Sequence, residues 1–233
     1  MSLLTIAKNV SFDVGIDAPT TIINNNDDDA RRLLRHIKAT GTMLMREYPW
    51  QALRREATFN TVASENQGSI ADLVADNDVD RIIPNTLYNR ATQREAYGQT
   101  SAMDYAFDKA RQFQMIYDQF VIRGGNLLLN SVPAAGNTFA FEYVSNAWIY
   151  SGSTRKKDFT ADADEIYLDE ELITMGAVAR FKKSIGADWQ ADEVQFMREL
   201  EKRKGADTPQ GRIQMAEASD DVNAFGFFVE RTA

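Results

Sequence analysis

The sequence predicts an α+β fold: an α-helical bundle with an inserted antiparallel β-sheet domain and an extended C-terminal tail. Three observations predict it. Apolar residues recur at three- and four-residue steps before residue 53 and again between 160 and 205, which is the spacing of a helix face. Between 54 and 152 the pattern changes to alternation, broken by paired glycines and proline turns. After residue 205 the break Thr208-Pro209-Gln210-Gly211 interrupts both patterns. Residues 1–53 and 160–205 are therefore expected to form the bundle, 54–152 the inserted β domain, and 206–233 the tail.

The first helix is expected from Ser2, a residue suited to cap exposed N–H groups, to about Val10, with Leu3, Leu4, Ile6 and Ala7 on its apolar side. Gly15 and Pro19 mark a loop. A long helix should run from about Asp27 to Tyr48 with Leu33, Leu34, Ile37, Leu44 and Met45 as its stripe. Asp27, Asp28 and Asp29 suit the positive end of its dipole. Gly41 is a weak point within it, and Pro49 stops it by disfavouring helix at the residue before.

Ala57, Phe59 and Thr61 then share one face of a strand. Residues 64–84 read as irregular, residues 86–90 as a short strand, and Ser101 as the cap of a helix to about Gln112 with Met103, Phe107 and Ala110 on one side. The clearest β signal lies at 117–150. Two β-like runs flank Gly124-Gly125, the residue pair a type I′ turn favours because both central positions need positive φ. After a turn at 133–137, Phe139, Phe141 and Tyr143 share one face of the next strand, so three strands should form an antiparallel meander. A polar loop is expected at 151–157. A helix then starts at Asp164 or Asp169, carries Leu168, Leu172, Met175, Val178, Phe181 and Ile185, and ends at Gly186. Asp188 should cap a last helix with Trp189, Val194, Met197 and Leu200 as its stripe and Gly205 as its end, giving an αα-hairpin.

Composition narrows the function classes. The chain has 233 residues, 44% of them hydrophobic, enough for a sizeable core. It has no Cys and one His, which excludes disulfides, thiolate sites and His-based metal clusters. No apolar run approaches the ~20 residues of a membrane helix, and the first residues lack the apolar core of a signal peptide, so a soluble protein made in the cytoplasm, without membrane contact, is expected. The net charge of −8 argues against tight phosphate binding.

Candidate chemistry is sparse. Asp76-Asn77-Asp78-Val79-Asp80 begins like a calcium loop but has Arg81 and Leu87 where Gly and Glu are needed. Gly124-Gly125 lacks the remainder of a phosphate cradle. His36 sits mid-helix beside Arg35 and Lys38, where an ordinary half-buried or exposed histidine is the simpler reading. Glu142, among aromatic residues of a strand, is the least ordinary carboxylate, and paired carboxylates would serve a virion-associated peptidoglycan hydrolase. The balance favours no enzyme: no catalytic, cofactor-binding or metal residue is expected. The aromatic cluster Phe225-Gly226-Phe227-Phe228-Val229 stands apart, because tails are ordinarily polar and apolar patches mark contact sites.

Three stretches carry a resemblance: Tyr48-Pro49-Trp50-Gln51-Ala52-Leu53 at the end of the long helix, Asp76-Asn77-Asp78-Val79-Asp80-Arg81-Ile82-Ile83-Pro84 with the following residues to Arg90, and Gly136-Asn137-Thr138-Phe139-Ala140-Phe141-Glu142-Tyr143 with the residues to Trp148. In that order, over roughly residues 25–205, the chain resembles the tailed-phage head-to-tail adaptor (connector) family, which includes tail tubular protein A-like proteins and tail accessory factors. It departs at residues 70–76, where relatives often carry an aromatic-x-Leu-Pro-x-Asp pattern. The resemblance implies a structural virion protein of the neck. It implies a ring of copies of itself, a dodecamer, under the portal protein, with the tail nozzle or next tail component below. Genomic DNA would pass through the lumen without specific binding. On this reading Ile213, Met215, Phe225, Phe227, Phe228 and Val229 bind the portal. A neck stopper or tail-completion protein is the alternative within the same class.

Overall fold

A computed structural model describes residues 1–98, 100–110 and 118–208. In chain order the elements are α1 (Leu3–Val14), α2 (Asp28–Glu47), a 3₁₀ turn (Gln51–Leu53), β1 (Arg54–Asn60), β2 (Asn66–Ser69), α3 (Ile70–Leu73), β3 (Val79–Ile82), β4 (Tyr88–Asn89), β5 (Arg94–Tyr97) and α4 (Ala102–Ala110). They continue with β6 (Asp118–Arg123), β7 (Asn126–Leu129), β8 (Thr138–Ser145), β9 (Ile149–Ser151), β10 (Thr154–Lys156), β11 (Glu165–Ile166), α5 (Glu170–Ile185) and α6 (Gln190–Asp207).

The architecture corrects the expected fold class. A large mixed sheet of eight strands forms a half-barrel with helices beside it; there is no helical bundle carrying a small inserted antiparallel sheet. The strand order is β1-β8-β4-β5-β6-β7-β2, with β3 also on β8. The pairing of β5 with β6 is parallel, so the sheet is not wholly antiparallel. The expected meander does not form: β6 and β7 make the hairpin, but β8 pairs with β1 along seven residues and never with β7. The sheet outgrew its sequence signal because β2, β3, β4 and β5 are two to four residues long, too short to show an alternation. Residues 64–84 look polar and irregular yet supply two of these strands.

The paired glycines do close the β6–β7 hairpin, with φ of 56° at Gly124 and 80° at Gly125. A seam runs through the half-barrel. Strand β3 pairs with β8 and with no other strand among the described residues. Strand β5 covers β6 at Asp118 and Gln119, and past those residues β6 is paired on the β7 side. A second sheet of β10, β9 and β11 extends from the end of β8.

Two cores result. In the half-barrel, Ala57, Phe59, Leu87, Phe120, Leu127, Phe139, Phe141 and Tyr143 are buried together. Beside the small sheet, α1, α2, α5 and α6 bury Leu3, Ile6, Leu33, Ile37, Leu44, Ile173, Phe181 and Phe196 with Trp148 and Phe159. Ser2 caps α1, Asp27 caps α2 and Asp169 caps α5, each side chain accepting a main-chain N–H in the first turn. Asp164 instead lies fully buried ahead of α5. Helix α1 runs on to Val14, and Gly15 closes it.

Two helix faces differ from the expectation. In α4 the buried residue is Tyr105, while Met103 and Phe107 are exposed; residues 111–117, which include the expected helix end and strand start, lie outside the described residues. In α6 the buried residues are Phe196 and Leu200, while Val194 and Met197 are about half exposed. That helix starts after Trp189 with no capping side chain, so Asp188 is not its cap, and it runs through Gly205 to Asp207.

Candidate functional site

The six residues expected to bind a partner, Ile213, Met215, Phe225, Phe227, Phe228 and Val229, lie outside the described residues. The structure does define the point from which that segment departs. Pro49 ends α2, and the chain turns so that Trp50 is buried, its Nε1 donating to the Leu44 carbonyl at 2.7 Å. Tyr48 packs edge-on against Trp50, with ring centroids 5.1 Å apart. The end of α6 is fastened to this turn. The Gln51 backbone N–H donates to Asp207 Oδ2 at 2.9 Å, Gln51 Nε2 donates to the Asp207 carbonyl at 2.5 Å, and the Tyr48 and Thr208 hydroxyls are 2.9 Å apart.

Charge reinforces the fastening. Lys204 bridges Glu47 and Glu201 at 2.9 Å each, and these two carboxylates hold its ammonium above the ordinary lysine range. Arg203 reaches Asp169 at 2.8 Å, Glu171 at 2.9 Å and Glu199 at 3.0 Å, tying α6 to the start of α5. Between these elements lies a 390 Å³ cavity lined by Leu44, Trp50, Ala52, Tyr167, Leu168, Leu172 and Arg203. The root of the 209–233 segment is thus fastened to the Tyr48–Gln51 turn, apolar beneath, and rimmed by paired charges.

The other sequence candidates resolve as structural. Asp78 of the calcium-like stretch is buried in the sheet. It accepts hydrogen bonds from the Tyr143 hydroxyl at 2.9 Å and the Ser145 hydroxyl at 2.6 Å, and Arg155 Nη1 stands 3.1 Å away. Asp76 pairs with the same guanidinium. Burial, and then the hydrogen bond to Asp78, push the Tyr143 hydroxyl up to about 12. This network joins the turn before β3 to β8 and β10, so the half-barrel and the small sheet share one ionic tie. The stretch reads like a metal loop because Asp and Asn also serve turns: Asn77 adopts φ 49°.

A second buried carboxylate, Asp164, accepts from Lys156 Nζ at 2.7 Å and from the N–H groups of Thr160 and Ala161 at 2.7 and 2.9 Å. Burial alone would raise its pKa, but Lys156 and the two N–H groups outweigh burial and bring it to about 2. His36 is half-buried, edge-on to Phe181 at 5.8 Å. Burial, then Arg35, Arg180 and Arg32, lower its pKa. Glu142 points outward, exposed, while its backbone carbonyl accepts from Ile83. Among the described residues no three acidic or histidine side chains converge as a metal site requires, and no helix is long and apolar enough to cross a membrane.

Sequence reasoning missed the Asp78–Tyr143–Ser145–Arg155 network. Part of its signal was present, since the alternation of β8 turns Tyr143 and Phe141 inward and Glu142 outward. Arg155, however, comes from a stretch read as a polar loop. No protein-family model matches the chain, and no curated protein is significantly similar to it.

Proposed function

We propose that this protein is a structural adaptor of a tailed-phage neck. Copies of it form a ring beneath the portal, joining head to tail around the DNA channel, and the 209–233 segment docks on the portal through Ile213, Met215, Phe225, Phe227, Phe228 and Val229. The observation that carries this reading is the root of that segment. Asp207 and Thr208 are fixed by Gln51 and Tyr48, in the same Tyr48-Pro49-Trp50 turn that begins the family resemblance. A segment with an apolar cluster at 224–229, departing from a fastened base, suits anchoring to a partner, because less is lost in ordering the base on binding.

Two further features support the reading. The buried carboxylates serve structure: Asp78 ties the two sheets through Arg155, and Asp164 holds Lys156 and the loop that follows it. The helical layer also leaves apolar side chains in water, Phe12 86% exposed and Val194 and Met197 about half exposed, which suits contact with further chains. The net charge of −8 per copy would give a ring an acidic lumen through which DNA passes without sticking.

The test is a chain truncated after Thr208. It should keep its fold by circular dichroism and lose binding to purified portal from the same source. Undiminished portal binding by the truncated chain would overturn the anchor assignment. Failure of the full chain to bind portal, with binding to a lower neck component, would move the protein to the stopper position.

A further inference from the structure

Helix α5 divides two surfaces of opposite charge. Glu171, Met175 and Lys182 follow one another at helix spacing on the side that faces α1 and α6. Arg180 comes ~2.5 turns after Glu171 and so leaves α5 on the far side. On the first side, two adjoining hollows of 830 and 270 Å³ share Asp13, Met175 and Gln195 and form one groove between α1, α5 and α6. Leu168, Met175 and Val178 make it apolar, and Phe12 lines it while 86% exposed. Its rim is acidic. Glu170 pairs with the N-terminal ammonium, Glu171 with Arg203 and Asp192 with Lys182. Asp13, exposed where the two hollows meet, forms no ion pair among the described residues.

On the far side, α2 meets α5 where His36 stands edge-on to Phe181 at 5.8 Å. Arg180 immediately precedes Phe181, Arg35 immediately precedes His36, and Arg32 lies one turn before it. Three guanidiniums thus gather around one imidazole; burial first, and then their charge, depress its pKa. Arg32 has Asp29 at 3.8 Å, but Arg35 and Arg180 form no ion pair among the described residues. Like charges gathered in this way repel one another, in a chain whose net charge is −8, and a partner's carboxylates would relieve them.

We infer that the α1–α5–α6 groove of one copy receives the arginine face of α2 and α5 of a second copy. The inference deepens the ring of the proposed function and rests on that reading. The two faces are complementary in charge, and complementary potentials select partner and register. Guanidiniums also stack on aromatic rings, and their stems cover apolar surface, which suits Phe12 and Met175. Joining like faces would set Asp13 against Asp13, or arginines against arginines, so a two-fold dimer is disfavoured. Because the complementary faces stand on opposite sides of α5, the contact is head-to-tail and repeats from copy to copy. DNA phosphates would satisfy the arginines but leave the apolar groove uncovered, so a second copy is the better occupant.

Sedimentation velocity of the full free chain, with no portal present, tests this separately from portal docking. The native chain should grow past the dimer as its concentration rises, and less so in high salt. Asp13→Arg and Arg35→Glu, both at exposed positions, should each weaken self-association about tenfold. Combined in one chain they should recover most of the loss, since the reversed charges again face each other. Circular dichroism will report any variant that unfolds, and the native chain's own growth and salt dependence then decide. A native chain that stays monomeric, or stops at the dimer, would overturn the inference. So would a double variant weaker than either single one. Unchanged self-association of Arg35→Glu together with lost binding to a short DNA duplex would also overturn it, and would assign the arginines to phosphates.

Discussion

The indole of Trp148 lies so close over Gly41 that a methyl group on that glycine would stand 2.1 Å from Trp148 Cη2. Gly41 is mid-helix in α2, and Trp148 follows β8, so this contact seats the end of the large sheet against the helical layer. Trp148 is further held edge-on by Phe159, with centroids 5.3 Å apart. A glycine that reads as a flaw in helix propensity is the space into which a core tryptophan fits.

Gly41→Ala should therefore destabilise the protein by about 1–3 kcal/mol, the cost of overpacking. At an unpacked helix position the same change would stabilise by about 1 kcal/mol. Urea unfolding decides the sign. Adding Trp148→Phe should recover part of the loss, and non-additivity in that double mutant reports the contact directly.

The Asp78 network predicts an alkaline limit. Tyr143 titrates near 10 when unfolded and at about 12 when folded. The stabilisation linked to this shift is thus complete below pH 10 and is lost as pH rises from 10 through 12. Tyr143→Phe should flatten the fall in Tm between pH 10 and 12. Asp78→Asn, which removes the buried one of the two carboxylates on the half-buried Arg155, should cost about 3 kcal/mol at pH 7, read by urea denaturation.

Asp164 predicts the acid limit. Its folded pKa of about 2 lies below the ordinary carboxylate value, so it contributes stability above pH 4, and that contribution is lost as pH falls from 4 through 2. The size is about 2 kcal/mol. Asp164→Asn should lower stability at pH 7 and change it little at pH 2, as thermal unfolding across that range will show. An equal loss at both pH values would assign the effect to packing.

Helix positions were legible because their signals are local. Ser2, Asp27 and Asp169 cap, Gly15 and Gly186 terminate, and Gly124-Gly125 turns, each through its own backbone geometry. The sheet was not, because its pairing is set by distant partners. Nothing near β8 says that it will lie beside β1 and not β7, and strands as short as Tyr88–Asn89 exist through the neighbours that hold them. Face assignments failed where a helix keeps an apolar side exposed: of the expected α6 stripe Leu200 is buried, but Val194 and Met197 are half exposed, and Phe196, outside that stripe, packs against Gly176 of α5. The ionic ties were hidden for the same reason, since Asp78 meets Arg155 across 77 residues of chain.

The proposed place of this chain, bound to the portal as an adaptor, fixes a stoichiometry. The most direct test is co-sedimentation of the full chain with purified portal ring from the same source, with mass spectrometry counting the bound copies. Saturation at one copy per portal subunit is expected. Absence of binding with both partners folded would contradict it.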